Sequence, residues 1–126
     1  MDNVASLPNK ELIRVYILLP AAINVVHQSL QQIKSAGPVK TLFIKASEVM
    51  HDRLVLDFAD VSRELRRRGF SVESGPKAAT HSVYRIRRNG AERAIQLPAT
   101  TAQSETAAII SNYMMQLEQV LERRHA

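Results

Sequence analysis

HSVYRIRRNGAERAIQL, residues 81–97, is the stretch whose reading decides the fold class. Asn89-Gly90 lies between two runs of alternating residues. Asn-Gly is the strongest short hairpin signal, because both turn positions need positive φ. A two-residue turn also sets the register. Arg88 opposes Ala91, Ile86 opposes Arg93, Tyr84 opposes Ile95 and Ser82 opposes Leu97. Away from the tip, one face carries Tyr84, Ile86, Ile95 and Leu97. The other carries Val83, Arg85, Arg87, Glu92, Ala94 and Gln96. The first face is expected to pack on a core and the second to meet solvent.

Working upstream, the period changes from 3.6 to 2 at Gly69. Phe70 and Val72 alternate with Ser71 and Glu73, which predicts a short strand. Ser74–Thr80 reads as a loop. The sheet is therefore a hairpin or a three-stranded antiparallel meander. Before Gly69, apolar residues recur at helical spacing: Val39, Leu42 or Phe43, Ala46, Val49 or Met50, Leu54, Phe58, Val61 and Leu65. Gly69 suits the left-handed cap position, and Arg66, Arg67 and Arg68 suit the negative end of the helix dipole. A break near His51–Asp52, or a strand over Val39–Lys45, is the weaker reading.

Further upstream, Leu12, Tyr16, Leu19, Ile23, Val26, Leu30 and Ile33 form one helical stripe. Pro20 falls inside it and predicts a kink. The composition of Leu12–Leu19 also suits a strand, with Pro20 opening a new helix. The continuous stripe favours helix. Ala36-Gly37-Pro38 ends this helix and opens the next, so the two form an antiparallel helical hairpin. Residues 1–7 show no periodicity and read as a flexible tail before a single domain over residues 8–126. Downstream, Pro98 stops the strand, and Thr100 with Gln103 resembles a capping box for a C-terminal helix. Ile110, Met114, Leu117 and Leu121 are expected on its buried side, with Arg123 and Arg124 at its end. The fold class is α+β, mostly α: a long helical hairpin, a small antiparallel sheet and a C-terminal helix.

The totals narrow the function. The chain has 126 residues, 45% of them apolar, enough for a core without staples. It has no cysteine, which excludes disulfides, thiolate nucleophiles and cysteine-ligated metals, and suggests a cytoplasmic setting. The strongly apolar run Val15–Val26 is shorter than a bilayer span. No small-residue cleavage site follows it, so it reads as a core helix rather than a signal peptide or membrane segment.

The net charge is +5, and its placement is uneven. Residues 63–93 hold nine Lys and Arg against three Glu. Arg66, Arg67, Arg68, Arg85, Arg87, Arg88 and Arg93 are therefore the candidate residues for binding a partner or a polyanion, since guanidinium forks match phosphate and carboxylate oxygens. A basic hairpin after helices has the outline of a nucleic-acid-tracking wing. Yet no recognition helix precedes it, and the few aromatics supply poor stacking platforms. The plainer reading is a solvated face balanced by Glu92 and by acids of the second helix.

Catalytic patterns are weak. His51-Asp52 with Asp57 and Asp60 is the best cluster, but adjacent helical residues diverge, and His27, His81 and His125 lack ligand spacing. There is no nucleophile elbow or phosphate-binding glycine loop. No cofactor is expected. The first helix is apolar beyond its stripe, at Ile13, Val15, Ile17, Leu18, Ala21, Ala22 and Val25. Such a helix is buried on all sides, so self-association through it, as a homodimer, is the expectation. The function expected is a non-enzymatic interaction or regulatory adaptor for a protein partner. The alternative is a nucleic-acid-binding module using the basic hairpin.

Overall fold

The computed structural model describes the backbone of residues 3–32 and 38–125, and the side chains of residues 3–31 and 41–119. The Ala36-Gly37 cap, Ile33, the side chains of Pro38 and Val39, and those of Leu121, Arg123, Arg124 and His125 lie outside the described residues. The order is a 3-10 turn (Val4–Ser6), α1 (Asn9–Gln32), α2 (Pro38–Arg67), β1 (Phe70–Lys77), β2 (His81–Arg88), β3 (Ala91–Pro98) and α3 (Ala99–His125). This is the expected order: two helices, an antiparallel meander β1-β2-β3, and a C-terminal helix.

Leu12–Leu19 is helical, and α1 runs unbroken through Pro20. Pro20 is exposed, so the backbone carbonyl that its ring deprives of a donor lies on the solvent side. α1 is the central helix. Leu12, Ile13, Ile17, Leu18, Leu19, Ala22 and Val26 are all buried. α2 and α3 pack directly on it, and Ile86 and Leu97 of the sheet complete the same core. Of the apolar residues beyond the stripe, Ile13, Ile17, Leu18 and Ala22 are buried within the chain, whereas Ala21 is exposed and Val25 is 44% exposed. α1 is long and apolar enough to cross a membrane by length and composition, and here it forms the middle of the core.

α2 is continuous, with neither a break at His51–Asp52 nor a strand over residues 39–45. It runs antiparallel to α1. Its C-terminal Arg68 region meets Leu7 and Asn9, and His51 in its middle faces His27 near the end of α1, with ring centroids 5.8 Å apart. Met50, Leu54, Val61 and Leu65 are buried as the stripe requires. Leu42, Phe43 and Val49 are not; they are 70%, 54% and 55% exposed. At its end the N–H of Gly69, at φ +83°, donates to the Arg66 carbonyl.

The hairpin register is the one the Asn-Gly turn dictates, with Arg88 opposite Ala91, Ile86 opposite Arg93, Tyr84 opposite Ile95 and Ser82 opposite Leu97. Asn89 has φ +51° and Gly90 +80°. β1 is longer than expected and runs through Gly75-Pro76 to Lys77, where a loop was anticipated. The register shifts between Ser74 and Lys77, a bulge that absorbs the proline. Gly75 is needed there, since a Cβ would stand 3.0 Å from the Val83 carbonyl oxygen.

α3 starts at Ala99, whose N–H donates to the Thr80 carbonyl, so Thr100 lies inside the first turn rather than capping it. Among the described residues its buried positions are Thr106 and Tyr113, flanked by Ala102, Ile109 and Ile110. Met114, expected inside, is 44% exposed. Arg14 of α1 lies 3.0 Å from Glu105 and links the two helices.

Residues 3–7 lack periodicity yet are tied down. Val4 and Leu7 pack against the core, and Arg68 binds the backbone beside them. The contact spans some sixty residues of sequence, so no local pattern could reveal it.

Candidate interaction surfaces

The seven arginines singled out from the sequence do not form one surface. Arg85 and Arg87 project from the solvent face of the sheet. Arg87 lies 3.9 Å from Glu73 and 3.7 Å from Glu92, so carboxylates flank it on both neighbouring strands. Arg88 and Arg93 stand on the opposite face, near the tip. Arg66, Arg67 and Arg68 lie at the end of α2.

Two of that last group are committed internally. Arg67 donates from Nε and Nη2 to Glu64, at 2.9 and 2.6 Å. Arg68 donates from Nε to Glu64 Oε1 (2.9 Å), from Nη1 to the Leu7 carbonyl (2.7 Å) and to Asn9 Oδ1 (3.0 Å), and from Nη2 to the Ala5 carbonyl (3.0 Å). Its side chain is only 12% exposed. Arg68 is therefore a structural clamp, not a free cation. The hydrogen bonds from Arg67 and then Arg68 hold the Glu64 carboxyl at about 2, well below its ordinary 4.5. The same contact with Glu64 raises Arg67.

The remaining cations, Arg66, Arg85, Arg88 and Arg93, have no ion-pair partner among the described residues. Arg88 stacks its guanidinium 4.7 Å from the Phe70 ring centroid. A cleft of about 620 Å³ opens where α1 begins beside the inner face of the sheet. Lys10, Arg88 and Arg93 line it, together with Asn9, Glu92 and the apolar Ile13, Phe70 and Ile86. Lys10 was not picked out from the sequence, because nothing local connects it to a hairpin some eighty residues on.

A second surface lies between α2 and α3. A groove of about 380 Å³ is lined by Val49, Met50, Asp52, Arg53, Leu56, Tyr113, Gln116 and Leu117. Leu56 is 62% exposed, and Leu42, Val49 and Leu56 follow one another at heptad spacing. The α2 stripe offers Leu42 or Phe43, and Val49 or Met50, as core positions; of these four only Met50 is buried. Beneath the groove, the Tyr113 hydroxyl donates to Asp57 Oδ2, and both residues are buried. Burial first, and the Asp57 carboxylate second, raise the Tyr113 hydroxyl well above its ordinary value.

The His/Asp cluster is dispersed. Asp57 accepts from Tyr113, Asp60 pairs with Arg63, and His51 Nδ1 is 3.9 Å from Asp52 Oδ1. Among the described residues, no group of three or more His, Asp or Glu is arranged to hold a metal ion.

Fold and surfaces define a small α+β protein in which three helices carry an antiparallel meander. Residues 8–118 match the family model described as YhjD protein, and the chain belongs to that family. No curated protein and no solved structure matches it.

Proposed function

We propose that this chain is a non-enzymatic interaction module that self-associates through the outer face of α2 and acts by docking to protein. The observation that supports this is the exposed row Leu42, Val49 and Leu56 beside an apolar groove. On a helix these three residues fall within about 20° of one line, the seam a second helix can occupy. A two-fold antiparallel pairing centred on Val49 sets Leu42 of one copy against Leu56 of the other. It also brings Lys45 within one residue's rise of the second copy's Asp52, on the same flank of the seam. Both charges are exposed and of opposite sign.

Sedimentation equilibrium across a wide concentration range tests the proposal, with Leu56→Glu alongside. Because Leu56 is mostly exposed, the variant should keep its helical circular dichroism and lose self-association. A monomer at every concentration, or a dimer that Leu56→Glu leaves intact, refutes it.

A second reading is nucleic-acid binding through the outer sheet face. It is favoured by Arg85, a cation on that face with no ion-pair partner among the described residues. It is the weaker reading, because Arg67, Arg68 and Arg87 are engaged by carboxylates. Fluorescence anisotropy with duplex DNA, single-stranded DNA and RNA decides it. Binding that falls steeply with salt and disappears in Arg85→Ala/Arg87→Ala would establish it.

A further inference from the structure

The cleft at the start of α1 combines features that the rest of the surface keeps apart. Three cations from three elements line it: Lys10 of α1, Arg88 of β2 and Arg93 of β3. None has an ion-pair partner among the described residues, unlike Arg67, Arg68 and Arg87. The lone acid in the lining, Glu92, lies 3.7 Å from Arg87 on the outer face. The floor is apolar, with Ile86 and Ile13 buried and Phe70 half-buried. Phe70 holds the Arg88 guanidinium over its ring, which limits the conformations Arg88 must give up to bind. Asn9 adds an amide at the first residue of a 24-residue helix, the positive end of its dipole. Its Oδ1 already accepts from Arg68, which fixes the side chain.

We propose that this cleft binds a small organic anion. Lys10, Arg88 and Arg93 hold its phosphate or carboxylate head, and its apolar body lies on Ile13, Phe70 and Ile86. Convergent cations supply the charge recognition, and arginine forks match either head group. An apolar floor with a few polar groups at the rim is the general composition of small-molecule sites. This site is separate from the α2 seam and does not depend on self-association.

The test is an amide-shift NMR titration of the full chain with four probes: phenyl phosphate, phenylacetate, inorganic phosphate and benzyl alcohol. The expected result is saturable shifts at Lys10, Phe70, Arg88 and Arg93 with one or both organic anions. Inorganic phosphate should bind more weakly, and benzyl alcohol should have no effect. The tighter of the two organic anions identifies the head group. Arg88→Gln/Arg93→Gln should weaken binding about tenfold for each arginine removed. Lys10→Gln, a surface change that keeps the sheet intact, should also weaken it, whereas Arg85→Gln on the outer face should not. No shifts in the cleft, equal binding of inorganic phosphate and phenyl phosphate, or binding indifferent to Lys10→Gln would overturn the proposal.

Discussion

Arg68 Nε donates to Glu64 Oε1 at 2.9 Å, one helical turn away, and that contact turns the rest of the guanidinium toward the segment before α1. The remaining donors reach two backbone carbonyls, of Ala5 and Leu7, and the Asn9 side chain. One planar fork therefore joins the end of α2 to the beginning of the chain.

Removing the fork should loosen that junction. Arg68→Ala leaves carbonyls of the N-terminal turn and the Glu64 carboxylate short of donors. A loss of about 2–4 kcal/mol is expected on denaturant unfolding. Arg68→Lys should rescue little, because one ammonium cannot span the same acceptors. Hydrogen exchange should quicken from residue 4 to residue 9 before it does elsewhere.

Glu64 gives stability a particular dependence on acid. Its folded pKa, about 2, lies below the ordinary 4.5, so its contribution is complete above about 4.5 and fades as pH falls toward 2. Thermal unfolding of the parent and of Glu64→Gln should differ most near neutrality. The difference should shrink across that acid window.

Tyr113 works in the opposite direction. Its hydroxyl is raised, so the unfolded chain loses that proton near pH 10 while the folded chain retains it. Stability present below pH 10 should therefore decline as pH rises beyond it. Tyr113→Phe should lack this component of the decline. At neutral pH it should cost about 1–3 kcal/mol, because the buried Asp57 loses a donor.

Two glycines of the sheet should fail for different reasons. At Gly90 an added Cβ meets nothing within 4 Å, so Gly90→Ala costs only the strain of φ +80°, about 1–2 kcal/mol. Gly75 has no such strain, but its Cβ would press on the Val83 backbone, and Gly75→Ala should cost about 1–3 kcal/mol. Denaturant unfolding measures both. Only Gly75→Ala should also alter amide shifts at Val83, by displacing the bulge.

What the sequence determined by itself was whatever local geometry dictates. Asn89-Gly90 set the pairing from Arg88–Ala91 to Ser82–Leu97, because a two-residue turn leaves one register. The stripe through Pro20 identified α1, and Gly69 marked the end of α2. Tertiary structure alone decided which element covers which face. A periodic pattern gives a helix an apolar side but not the width of its cover. So Leu42 and Phe43, the alternatives for one turn of α2, both emerge exposed, Met50 rather than Val49 is buried in a later turn, and Tyr113 takes the buried place expected for Met114. The same holds for charge. Composition put seven arginines near one another, but long-range contacts bound Arg68 to the N-terminal turn and left Arg88 and Arg93 facing a cleft with Lys10. An ion pair or a cleft is made by residues distant in sequence, and no local spacing encodes that meeting.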